Sequence, residues 1–185
     1  MALRGAVIVV SVISMVWAAT GARCQERDTG GEAPHGADTR LGWPRVHIPD
    51  PVAANALRMA LDRAWTSLRD PNCTRVLGAF SDRTGQSLEA RLATLEIDAQ
   101  EHLTRLVFID NTRERRCMTG ILAFTEPGSY VVRLCVEEFK RAWQQDQRRT
   151  IAALIHELLH SLGLGENPPT SNEITATVLD ICRLR

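Results

Sequence analysis

Ile155-His156-Glu157-Leu158-Leu159-His160-Ser161-Leu162-Gly163-Leu164-Gly165-Glu166 is the stretch on which the reading of this chain turns. The run around its start, residues 150–162, repeats apolar side chains at Ile151, Ile155, Leu158 and Leu162, which is the spacing of one stripe on an α-helix. At about 100° per residue, His156 and His160 fall off that stripe and share one face a turn apart, so both can offer a ring nitrogen to a single tetrahedral zinc ion. Glu157, one step round the helix, is placed to take a proton from a water that the metal activates. A metal that acidifies water and polarises a carbonyl, beside a carboxylate base, supplies what amide hydrolysis at neutral pH needs.

The His-Glu-x-x-His segment resembles the zincin metallopeptidases, and its continuation to Glu166 is similar to the metzincin pattern HExxHxxGxxH. In that pattern the glycine lets the chain turn sharply out of the helix, and a third ligand three residues later returns to the metal. Gly163 matches the glycine, and Glu166 stands where metzincins carry their third histidine. Carboxylate oxygen is also a zinc ligand. The resemblance therefore implies Zn2+ as cofactor, His156, His160 and Glu166 as its ligands, and Glu157 as the catalytic general base. The methionine turn of metzincins has no counterpart, since no Met follows Met118. A second zincin arrangement, that of gluzincins, takes its third ligand from a glutamate on the following helix, which makes Glu173 the alternative. Thr170-Ser171-Asn172-Glu173 also reads as a capping box, which would hold the Glu173 carboxylate at a helix start. The sequence leaves Glu166 and Glu173 as alternatives.

Residues 1–22 read as a secretory signal peptide: Arg4, an apolar stretch over residues 6–19, then Ala18, Ala19, Gly21 and Ala22 as a small-residue cleavage region. The stretch falls short of the roughly 20 residues that span a bilayer, so no stable membrane insertion is expected after cleavage. The protein is expected to be secreted or periplasmic. Lipid attachment at Cys24 is the lesser alternative, because Arg23 is not the small residue such processing prefers. Residues 23–42 are polar and nearly free of apolar side chains, which predicts a disordered linker containing His35. Residues 43–185 then form one domain. A net charge of +0 with no basic stripe implies neither a nucleic-acid partner nor an anionic membrane surface; the zincin resemblance implies a peptide or protein substrate.

Export makes disulfides available, and Cys73, Cys117, Cys135 and Cys182 read as two bridges. Cys117 with Cys135 is the favoured pairing because both flank a predicted hairpin; Cys73 with Cys182 would then tie the first helix to the last. Extended chain is expected over residues 43–49, and a helix from Asp50-Pro51 to about Asp70-Pro71 with Val52, Ala56, Met59, Ala60, the Arg63 stem and Trp65 mostly on one face. A shorter helix is expected over 86–95. Strands follow at 103–109, 118–125 and 130–136, the last two joined by Glu126-Pro127-Gly128-Ser129. Helices at 137–147, through the motif, and at 171–183 complete the domain. The fold class is α+β: a small zincin-like domain with a short, mostly antiparallel sheet, the HExxH active-site helix and a C-terminal helix. By analogy with zincins, a peptide substrate would add to the sheet along the strand at 130–136. Tyr130, His102 and His47 are the remaining candidates for oxyanion stabilisation, and nothing in the sequence ranks them.

The resulting expectation is an exported zinc metallopeptidase. The alternative is a secreted zinc-binding or interaction module that keeps the fold without catalysis.

Overall fold

The structure, a computed structural model, describes residues 42–184; the signal segment, the linker through residue 41, Cys24 and His35 lie outside them. Pro44 and Pro49 bracket the first strand, β1 (Arg45–His47). Asp50 then caps helix α1 (Pro51–Ser67), its carboxylate accepting from the backbone N–H groups of Val52 and Ala53 at 2.8 and 3.0 Å. Pro51 occupies the first helical position, where a missing N–H breaks no hydrogen bond. A short α2 (Pro71–Thr74), a 3-10 turn (Arg75–Leu77), α3 (Leu88–Thr94) and α4 (Ala99–Thr104) bring the chain back to β2 (Val107–Asp110). A second 3-10 turn (Arg115–Thr119) precedes β3 (Ala123–Phe124) and β4 (Val131–Leu134), and α5 (Val136–Gln145), α6 (Gln147–Ser161) and α7 (Ser171–Cys182) follow.

The class is α+β, with a four-stranded sheet in the order β1-β2-β4-β3. β1 pairs parallel with β2 and β2 with β4, and only β3 with β4 is antiparallel. The sheet is therefore mixed, which corrects the expectation of a mostly antiparallel one. The connections explain it. Four helices join β1 to β2, and a segment holding the second 3-10 turn and β3 joins β2 to β4, so both connections return the chain in the same direction. Only the turn at Pro127-Gly128 reverses it at once: Ser129 N–H donates to Glu126 O at 2.8 Å, and Gly128 takes φ 83°, the pattern of a type II turn. Val46, Phe108 and Val132 stand in register across β1, β2 and β4 and face the core, to which Leu134 of β4 and Ala123 of β3 also contribute.

Two other local expectations change. Leu103 is the buried end of α4 rather than the start of a strand; Asp98 caps this helix, accepting from Glu101 N–H at 2.7 Å. The buried residues of α1 are Ala53, Ala54, Ala56, Leu57, Ala60, Leu61 and Ala64, so Ala56 and Ala60 lie inward as expected whereas Val52 and Met59 are 61% and 45% exposed. Alanines spaced by leucines let neighbouring helices approach closely, and α1 packs against both α5 and α6.

The motif helix is the centre of the molecule. α1, α5, α7 and the edge strand β3 all pack on α6, and almost every side chain from Thr150 to Ser161 is buried. Two disulfides, Cys73–Cys182 and Cys117–Cys135, join the expected partners and belong with an oxidising compartment. Among the described residues no helix is long and apolar enough to cross a membrane.

Candidate metal centre

Asp146 begins α6 by accepting from Arg149 N–H at 3.0 Å. A Schellman motif ends it: Gly163 N–H donates to His160 O at 2.8 Å and Leu164 N–H to Leu159 O at 3.2 Å, with Gly163 at φ 110°. A Cβ on Gly163 would also stand 3.2 Å from the Asp82 Cβ, so the positive φ favours glycine and a side chain there would in addition crowd Asp82. This turn does two things for the site. It brings the Leu164 carbonyl onto His160, whose Nδ1–H donates to it at 2.8 Å, and it returns Glu166 to the histidine face.

His156 Nε2 and His160 Nε2 lie 2.8 Å apart, and Glu166 Oε1 is 3.2 Å from the second and 3.5 Å from the first. Bonds of 2.0–2.1 Å in a tetrahedral site set ligand atoms roughly 3.3–3.4 Å apart. The three donors thus already close around a point of the right size, and His156, His160 and Glu166 form a group able to hold a metal ion. Their outer bonds fix the rings. His160 is held by Leu164 O, and His156 Nδ1 lies 2.9 Å from Thr175 Oγ1 on α7, which leaves both Nε2 atoms directed inward. Burial pushes the His156 pKa down to about 4, His160 adding to the fall and Glu166 opposing it.

Glu157 lines the same groove. Burial pushes its carboxyl up to about 8; the Thr125 hydroxyl pulls it back and the charge of Glu166 adds to the rise. Neither Glu157 Oε2 nor Thr125 Oγ1, both buried, completes a hydrogen bond of ordinary geometry among the described residues. An unpaired carboxylate oxygen in a groove wall is a place for a proton donor such as water.

Glu173 is engaged elsewhere. Its carboxylate accepts from the Thr170 N–H and hydroxyl, each at 2.8 Å, and these bonds hold its pKa below the usual value. The capping box is complete, and Glu173 stands outside the three-donor group.

The groove has a volume of about 840 Å³, with α6 as floor and the chain through β3 along one side. β4 lies between β2 and β3, so the edge beside the groove is β3, and the strand expected to receive substrate is an inner one. Gly128 N–H, at the tip of the β3–β4 turn, donates to His160 O at 2.9 Å and ties that edge to α6. Tyr130 and His102 are not part of the groove wall. They pack together, ring centroids 5.2 Å apart, in a separate hollow of about 310 Å³, and His47 is exposed on β1. His102 serves α6 from behind, its Nε2 lying 2.8 Å from Ser161 Oγ. Thr175, Thr125 and the His102–Ser161 pair carry no sequence signal, because each acts across elements distant in the chain.

No protein-family profile, no curated protein and no solved structure matches this chain.

Proposed function

We propose that this protein is an exported zinc-dependent metallopeptidase. The observation that carries the reading is the convergence of His156 Nε2, His160 Nε2 and Glu166 Oε1, within 3.5 Å of one another, beside the buried carboxyl of Glu157 in an open groove. A zinc ion on these donors would acidify a water, polarise a substrate carbonyl and favour the ionised form of Glu157. Two imidazoles and a carboxylate with an open fourth position are a donor set used for hydrolytic zinc.

The chain's own residues supply the rest. Glu157 accepts the proton of the attacking water and hands it to the departing amine, a role that needs a carboxylate shielded from bulk solvent within reach of both. β3 offers an unpaired strand edge, so a peptide can be held in extended form by backbone hydrogen bonds while side-chain pockets select it. Leu164 O and Thr175 keep the imidazoles in orientation through turnover.

Glu157→Gln tests the assignment, since it keeps the shape and removes the base. The variant is expected to bind one zinc per chain and to lose turnover on a peptide library by a factor of about 10²–10⁴, with chelator abolishing cleavage by the parent. Undiminished cleavage by Glu157→Gln would overturn the role of Glu157. Stoichiometric zinc with no cleavage by the parent would favour a non-catalytic zinc-binding module.

A further inference from the structure

We propose that the groove selects polypeptide segments carrying carboxylate side chains on both sides of the bond to be cleaved, recognised by Arg149 and Arg83; this rests on the peptidase reading and names its substrate class. Arg149, Ala153, His156 and His160 all line the groove, at the i, i+4, i+7, i+11 spacing of one helix face. Seven residues of helix separate Arg149 from His156, about 10 Å along the axis, which an extended peptide covers in about three residues. Arg83 stands past the other end of α6, its Nε 3.4 Å from where a Cβ on Gly165 would lie, next to Glu166. The metal group is thus flanked by a guanidinium at each end.

These two charges are available. Among the described residues neither side chain has an acidic partner, whereas the third arginine of the groove, Arg116, is paired with Glu126 at 3.2 Å and Glu114 at 3.9 Å. The acidic residues of the groove are occupied too: Glu166 in the metal group, Glu157 buried, Glu126 on Arg116. The N-terminal end of the twelve-residue α7 contributes Ser171 and Asn172 to the wall and with them the positive end of a helix dipole.

Arg149 is also placed against the interest of its own helix. It lies in the first turn of α6, where the dipole favours acidic residues, and that turn contains none. Arg148 shares that turn but lies outside the groove wall, so what sets Arg149 apart is that it faces the groove.

The test uses the zinc-loaded protein and peptide libraries with a randomised centre and fixed flanks of Glu, Gln or Lys. Cleavage is expected in the order Glu, Gln, Lys, with kcat/KM for Glu flanks about tenfold or more above Lys at low salt and the gap narrowing at high salt. Arg149→Glu, which agrees with the helix dipole and so should fold, is expected to reverse the preference at the flank on its side, and Arg83→Glu at the opposite flank. Arg148→Glu, next to Arg149 but outside the groove wall, should leave the ratios as they are. Equal kcat/KM for the three libraries, or an unchanged preference in both groove variants, overturns the proposal. If no library is cleaved, the peptidase reading fails by itself; binding of the same peptides to the zinc-loaded protein, followed by fluorescence polarisation, then decides. Tighter binding of Glu-flanked peptides supports the arginine assignment, and equal binding overturns it.

Discussion

His102 shows how a residue outside the groove serves it, and at what cost. Ser161 Oγ donates to Leu158 O at 2.7 Å, so it can accept only from His102 Nε2–H, which leaves His102 Nδ1 as a buried lone pair without a partner. Protonation has nowhere favourable to go, and burial, with Arg105 and Arg91 adding, pushes the pKa from 6.5 to about 4. Between those two values the unfolded chain binds the proton and the folded one does not. Stability from this residue is therefore complete above pH 6.5 and is lost as the pH falls toward 4, by about 3 kcal/mol at most. Unfolding free energies measured by urea titration at pH 7 and pH 4.5 should show a loss that shrinks by roughly 2 kcal/mol in His102→Gln. An equal loss in parent and variant would mean that His102 is not the group that titrates.

Helix α7 separates two glutamates that the sequence leaves as rivals. Glu173 works on its own helix, closing the capping box with Thr170, while Glu166, in the connection before it, reaches His160. Glu173→Ala should lower stability by about 1 kcal/mol and leave zinc stoichiometry intact. Glu166→Ala should keep the cap and weaken zinc binding; loss of metal in the first variant and not the second would exchange their roles. The capping box, the turn at Gly163 and the helix through His156 are legible in the chain because each depends on residues within a few positions of one another. What escapes is of longer range. The parallel pairing of β1 with β2 depends on a crossover through α1 to α4 and that of β2 with β4 on the chain through β3, the Ala53–Ala64 face of α1 gains its value only from helices arriving later in sequence, and Thr175 meets His156 through helix packing. The short α4 escapes differently: the Asp98-x-x-Glu101 signal is present, but apolar Leu103 and Leu106 blend into the strand that follows.

The two disulfides divide the fold into parts with different duties. Cys73–Cys182 closes a separation of 109 residues and holds the end of α7 to α2, while Cys117–Cys135 closes 18 residues and pins the loop before β3 to the end of β4. Loop-closure entropy alone would assign the first about 4.7 kcal/mol and the second about 3 kcal/mol, both upper values. Cys73→Ala/Cys182→Ala should therefore shift the urea midpoint further than Cys117→Ala/Cys135→Ala. The two pairs should also part company in function. α7 carries Thr175, the hydrogen-bond partner of His156, so freeing its C-terminal end should weaken zinc binding as well as stability. The shorter bridge lies among Cys117, Phe124 and Cys135 beneath the groove edge and touches no metal donor, so its loss should spare zinc and impair peptide binding. Zinc competition against a chromophoric chelator, run on both variants under conditions where each remains folded, distinguishes these effects. Equal zinc affinity in the two variants would show that α6, with the turn at Gly163, orients the histidines without help from α7.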